Sequence, residues 1–323
     1  MAERIRTMRQ FAIPQFTLGM PAQQLRETVD RWNADPSAYL SYEKRSLPKA
    51  QINGPWLEFP SFIDSRDTAR FYCAFEPKWR SGSTIGSIVI PHWNATSKKY
   101  ISGTAWIRRF FIPTNTLVYV PEYHDGRLYA GGPQYHVLGP NIYNTIRRVQ
   151  QDVLNIQFAA AWLRDAGCTE IGLWAYSIGS LRACLAALFA PNFFDFFIWH
   201  FACDNFAEAV MDGIATADIA SAIKDNISRD DLEYYWSIIS PGHYSDYLHL
   251  LPKATRVVQG RYDPVLSPPN VQRMTEKFRK YAPHVEVYTG EFGHATLGSF
   301  ANAARVLSGN IRFYYTHTGL RFI

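Results

Sequence analysis

The sequence contains no run approaching the roughly 20 apolar residues that a membrane-spanning helix requires, so no such helix is expected. It is poor in cysteine. The four present, Cys73, Cys168, Cys184 and Cys203, include no C-x-x-C pair and no other metal-ligand spacing. Cys184 and Cys203 fall inside apolar stretches, and all four read as reduced thiols, mostly in the core, which favours a cytoplasmic address. The opening residues, Met1-Ala2-Glu3-Arg4-Ile5-Arg6, carry charge but no apolar h-region and no cleavage site, so no signal peptide is expected. Charge of one sign is also scarce: a formal net charge of +5 over 323 residues is mild. The basic pairs Arg108-Arg109 and Arg147-Arg148 lack any zinc-finger, RNP or P-loop pattern beside them, so they read as solvated helix faces and nucleic acid is not an expected partner. Asn94-Ala95-Thr96 is formally a glycosylation sequon, but a glycan there would obstruct the site argued for below, and it reads as a chance match. No internal repeat or low-complexity segment is visible.

What is present is core-forming. A hydrophobic fraction of 47% with 15% aromatics fills a sizeable interior and excludes wholesale disorder. The length suggests one large α/β domain carrying an inserted cap. Residues 1–55 read as an N-terminal extension with one helix near Pro21–Asn33, ending at Pro48 and Gly54-Pro55. Residues 56–203 and 251–323 read as the core, and the helical stretch 204–250 as the cap. Within Trp56–Trp79, alternation gives two short strands with a turn near Asp64–Asp67. The apolar runs Ile85–Ile90, Thr116–Val120, Ile171–Ala175 and Phe193–Ala202 read as buried strands. Thr255–Gln259 and Val285–Thr289 complete the set. Helices are expected from about Asn144 to Ala166, stopped by Gly167, then along Ile178, Leu181, Leu185 and Leu188, and from Ser267-Pro268 through Val271, Met274, Phe278 and Tyr281. Strands alternating with helices predict a mostly parallel sheet covered on both faces.

Ala175-Tyr176-Ser177-Ile178-Gly179 lies between a predicted strand and a predicted helix, the context in which a G-x-S-x-G-like pattern makes a nucleophile elbow. A sharp strand-to-helix turn exposes the Ser177 hydroxyl above the sheet. The positions two before and two after the serine must be small, because strand and helix crowd there. Gly179 fits, and Ala175 departs from the usual glycine by one methyl. The Ile178 backbone N–H, at the positive end of the following helix, is placed to stabilise an oxyanion.

A serine hydroxyl needs a base to take its proton, and that base needs a carboxylate to hold its tautomer. Of nine histidines, His294 in Gly290-Glu291-Phe292-Gly293-His294-Ala295 is best placed, just after the last strand and just before a helix. His284 reads as a surface turn, and His317 lies in an aromatic, basic tail. Asp263, in Gly260-Arg261-Tyr262-Asp263-Pro264, follows the strand ending at Gln259 and is the first choice for the acid. Asp204, which also follows a strand, is the second. The loop Ile90-Pro91-His92-Trp93-Asn94 is the expected source of a second oxyanion donor, through the Trp93 or Asn94 backbone N–H, with His92 lining the pocket.

With these residues in the order serine, acid, histidine, the chain resembles the α/β-hydrolase superfamily over roughly residues 57–310. Trp174–Ala187 and the apolar strand after it also look like the abhydrolase-domain eighteen type. The likeness implies an α/β-hydrolase fold and a serine hydrolase with the triad Ser177, Asp263 and His294. Its expected activity is carboxylic ester hydrolysis through an acyl-enzyme, with no metal or organic cofactor. The same constellation serves amide, thioester, lactone and carbon–carbon cleavage, and a non-catalytic ligand-binding reading also stands. The expected partner is a small ester-like molecule, with Tyr176 and the cap aromatic Trp236 in the substrate pocket. Tyr234, Tyr235, Tyr244 and Tyr247 with Trp236 form either an apolar roof or ordinary packing. The N-terminal extension reads equally as a dimerisation arm or as part of a lid, which leaves a homo-oligomer open.

Overall fold

The computed structural model describes residues 14–65, 67–73, 84–92, 114–121, 138–294 and 299–318. In chain order these give helix α1 (Ala22–Ala34), the short α2 (Pro36–Leu40), and strands β1 (Gln51–Asn53), β2 (Trp56–Pro60) and β3 (Thr68–Cys73). β4 (Ile85–Ile90) and β5 (Asn115–Val120) follow, then α3 (Ile142–Asp165), β6 (Glu170–Tyr176), α4 (Ile178–Phe189) and β7 (Phe196–His200). After a helical stretch, α5 (Phe206–Asp212), α6 (Ala217–Lys224), α7 (Arg229–Ser237) and a 3₁₀ segment (Pro241–Leu250), the alternation resumes. It ends with β8 (Ala254–Gly260), α8 (Pro268–Tyr281), β9 (Glu286–Gly290) and α9 (Phe300–His317).

All nine strands form one sheet in the order β1-β2-β3-β5-β4-β6-β7-β8-β9. β1, β2, β3 and β5 pair antiparallel, and every pairing from β5 through β4 to β9 is parallel. The two halves differ in burial as they do in sequence. β2 and β3 alternate between more and less buried residues, as a one-sided antiparallel ribbon does. β4, β5, β7 and β8 are buried at every position, which is why they read as unbroken apolar runs.

Side chains alternate across the parallel half and build a core on each face. Leu173, Ala175, Phe197 and Trp199 join the cluster shared with α3, α4 and α8. Trp174, Tyr176, Phe196 and Ile198 point the other way, toward Phe313 and Tyr314 of α9. The helix expected from Asn144 starts two residues earlier, because the Asn141 side chain accepts from the Asn144 backbone N–H at 2.9 Å and caps it. It stops where expected, with Gly167 in the left-handed region at φ +100°.

Residues 204–250 are helical for most of their length, and α1 packs against them. Arg26 pairs with Asp231, Tyr234 donates to Asp30, and the Trp32 indole N–H donates to the Tyr244 hydroxyl at 3.1 Å. No helix among the described residues is long and apolar enough to cross a membrane.

The four cysteines are unpaired and buried. Burial, aided by the neighbouring Asp204 carboxylate, pushes the Cys203 thiol up to about 12, and burial pushes Cys73 up to about 11. A thiol-specific disulfide reagent at pH 8 should therefore leave the native protein untouched and titrate four thiols on unfolding. A thiol that reacts at once in the native state would contradict this.

Candidate active site

Ser177 occupies the turn between β6 and α4 with φ 55° and ψ −127°, a strained conformation for a residue bearing a Cβ. The turn is held from beneath: the Ser177 N–H donates to the His200 carbonyl at 3.1 Å, and the Ser180 N–H to the Ser177 carbonyl at 2.8 Å. Gly179 shows why a small residue is needed after the serine. A Cβ there would lie 2.5 Å from the Pro91 carbonyl oxygen and 2.7 Å from that of Ile90, both backbone atoms. The end of β4 thus runs directly beside the first turn of α4.

Asp263 and His294 meet. The Asp263 Oδ2 lies 2.8 Å from His294 Nδ1, and the carboxylate side chain is only 2% exposed. Its other oxygen accepts from the backbone N–H groups of Val265, at 2.8 Å, and Leu266, at 3.2 Å, so the group cannot swing away. The loops carrying the pair are zipped by their backbones: Arg261 N–H donates to Gly290 O at 2.9 Å and Tyr262 N–H to Phe292 O at 3.1 Å. A Cβ on Gly293 would sit 2.3 Å from the Tyr262 carbonyl oxygen, so only glycine permits that approach next to the histidine.

One residue at this site carries no sequence signal. Phe201, directly after β7, adopts φ 64° and stacks its ring on the His294 imidazole, with centroids 4.1 Å apart and planes 27° from parallel. A bulky side chain at positive φ is uncommon and costs on the order of 1–3 kcal/mol, and such strain clusters at functional sites. β7 lies between β6 and β8. His294, resting on Phe201 and bonded to Asp263, therefore stands above the strand end next to that of Ser177.

No protein-family model matches this sequence, and no curated protein matches it either. Solved structures do. Acetyl xylan esterase 1 from a Thermoanaerobacterium species superposes with a TM-score of 0.60 at 13% identity, covering 91% of this chain and 99% of the esterase. An acylaminoacyl peptidase from Pyrococcus horikoshii also gives a TM-score of 0.60, at 14% identity, over 88% of this chain and 44% of the peptidase. A puromycin-hydrolyzing peptidase from Mycobacterium tuberculosis gives 0.54 at 15% identity, over 85% of this chain and 40% of that one. This chain has the α/β-hydrolase fold.

Within the α/β-hydrolase fold, the remaining expected site residues fall as follows. Ile178, the residue immediately after Ser177, opens α4. Trp93 and Asn94 lie outside the described residues, and His92 stands partly buried just after β4. Tyr176 lays its ring flat on His200, centroids 4.3 Å apart and planes 8° from parallel, on the α9 face of the sheet. Trp236 is fully buried, with its indole N–H donating to the Ile142 carbonyl at 3.3 Å, and packs as a core side chain. Tyr235 and Tyr244 are buried with it. Asp204 does not approach His294. Its carboxylate is 3.0 Å from Arg273 Nε and 2.6 Å from Lys277 Nζ on α8, and it serves that ion cluster.

Proposed function

We propose that this protein is a serine hydrolase that cleaves carboxylic esters of small molecules through an acyl-enzyme. The observation that carries the reading is the Asp263–His294 pair, 2.8 Å apart with its carboxylate buried, at the carboxyl edge of the sheet that also carries an elbow serine held at φ 55°. Asp263 accepts a hydrogen bond from Nδ1–H and so leaves Nε2 without a proton, the tautomer a general base needs. His294 Nε2 takes the Ser177 proton as Oγ bonds to the ester carbonyl carbon. The negative charge that develops on the carbonyl oxygen falls to the Ile178 N–H and the positive end of α4. Collapse breaks the ester C–O bond, and the alcohol leaves with the proton from His294. A water molecule deprotonated by His294 then attacks the acyl carbon, and the acid departs as Ser177 recovers its proton. Esterases and peptidases among the similar structures are compatible with this chemistry on this fold, and the choice of an ester is our own reading.

A fluorophosphonate probe with mass-spectrometric mapping tests it. Covalent labelling of the folded protein at Ser177, abolished in Ser177→Ala, is the expected outcome, followed by turnover of activated esters in preference to anilides. A folded protein that takes no probe at Ser177 would sink the reading.

A further inference from the structure

His200, which the mechanism above does not use, engages three consecutive residues of the elbow. Its ring Nδ1 lies 3.1 Å from the Ala175 carbonyl oxygen. Its ring stacks on Tyr176, with which it is in register between β6 and β7. Its carbonyl oxygen accepts the Ser177 N–H at 3.1 Å and the Ser180 hydroxyl at 2.5 Å. The residue is 1% exposed. On its far side, Nε2 faces the Asn310 side-chain nitrogen of α9 at 2.9 Å.

The chemistry of these partners defines the ring. A carbonyl oxygen only accepts, so Nδ1 carries a proton, and an amide nitrogen only donates, so Nε2 is bare. The imidazole is a strut, one end on the strand that delivers the serine and the other on the helix that covers that face of the sheet. An elbow held at positive φ relaxes unless its neighbours over-determine it, and His200 supplies that constraint through its ring at residues 175 and 176 and through its backbone carbonyl at 177.

We propose that His200, oriented by Asn310, is a positioning residue that fixes the Ala175–Ser177 backbone and thereby the direction of the Ser177 hydroxyl. It rests on the reading of Ser177 as nucleophile. His200 touches no reacting atom, so its effect is on the attack step and not on substrate affinity.

The test uses the full chain and two variants. His200→Phe keeps a ring against Tyr176 and loses both nitrogens. His200→Asn places an amide N–H near the Nδ1 position, where it can donate to Ala175 O. The rate of fluorophosphonate labelling at Ser177 is measured together with kcat and KM on 4-nitrophenyl acetate, after near-UV circular dichroism has established a native fold. In His200→Phe the labelling rate and kcat should fall by about 10²-fold, the size of effect that misplacing a reacting group by an ångström produces, with KM little changed. His200→Asn should recover most of the loss.

A folded His200→Phe protein that labels at the wild-type rate overturns the proposal, and so does an equal loss in the two variants. Because either variant can fail to fold, the ring ¹⁵N shifts of His200 in the wild-type protein give a second reading. Nδ1 should be protonated and Nε2 bare; a protonated Nε2 overturns the strut whatever the variants do. Wild-type protein that takes no probe at Ser177 overturns the nucleophile reading and this proposal with it. Wild-type labelling beside an indifferent His200→Phe overturns this proposal alone.

Discussion

Asp263→Asn should lower kcat by about 10⁴-fold while the protein stays folded, the loss expected when the base is locked in the wrong tautomer. The structure says why the amide would take the harmful orientation. Asp263 Oδ1 accepts two backbone N–H groups, from Val265 at 2.8 Å and Leu266 at 3.2 Å. An asparagine keeps those bonds only with its oxygen in that place, which turns its NH₂ toward His294 Nδ1. Facing a donor, Nδ1 gives up its proton, Nε2 carries it instead, and the base toward Ser177 is lost. The loop that holds residue 263 keeps its backbone bonds, so thermal stability should change little. Steady-state kinetics on an activated ester, with calorimetry on the same samples, checks both halves. A loss smaller than tenfold would remove Asp263 from the mechanism.

Asp204 supplies the contrast within the same experiment. Its carboxylate is engaged by Arg273 and Lys277, and its backbone N–H donates to the Asn270 side chain at 2.6 Å, all on α8. Asp204→Asn weakens two ion pairs where residues 204–250 leave the sheet, so its cost should appear in stability, with kcat/KM near wild type. The opposite pattern in the two variants would exchange their roles.

These two aspartates also mark how far the sequence could be read. Both follow a strand at the carboxyl edge of the sheet, and strand order alone makes either a plausible acid. Only the positions of Arg273 and Lys277 on α8, and the zipper between residues 261–262 and 290–292, separate them. The sheet itself was legible because β4 to β8 are buried on both faces and composition follows burial. The elbow was legible because a small residue two after the serine is forced by the carbonyls of Ile90 and Pro91, a constraint that leaves a visible glycine. Phe201 was not legible: a phenylalanine at φ 64° has the same letter as one in a strand. His200 was hidden by distance, its partner Asn310 lying 110 residues further along the chain. The aromatic richness of its helix makes Trp236 look like a pocket-lining residue. That richness instead fills the space between α7 and the elements beneath it, with the Phe206 ring 5.4 Å from Trp236 and tilted 37° to it.

Arg182→Met should cost about 3–5 kcal/mol of stability, because it takes the guanidinium away from a buried carboxylate. Arg182 lies on α4, one turn after the elbow, with a side chain that is 0% exposed, and its Nε is 2.7 Å from Asp152 Oδ2 on α3. Asp152 also accepts the Tyr119 hydroxyl from β5. The Arg182 Nη1 and Nη2 atoms have no partner among the described residues, so the guanidinium is incompletely compensated for leaving water. A pair of that kind contributes little net stability when intact and costs heavily when halved. Replacing the whole set with apolar residues of similar shape, Arg182→Met with Asp152→Leu and Tyr119→Phe, should therefore return stability to the wild-type level or above it. Urea unfolding of the single and triple variants decides the matter. A single variant within 1 kcal/mol of wild type, or a triple variant no better than the single, would mean that the guanidinium–carboxylate contact does not govern the packing of α3 on α4. If the triple variant recovers stability but loses fluorophosphonate labelling, the pair is kept for the register of α4, and so for the aim of the serine at its start.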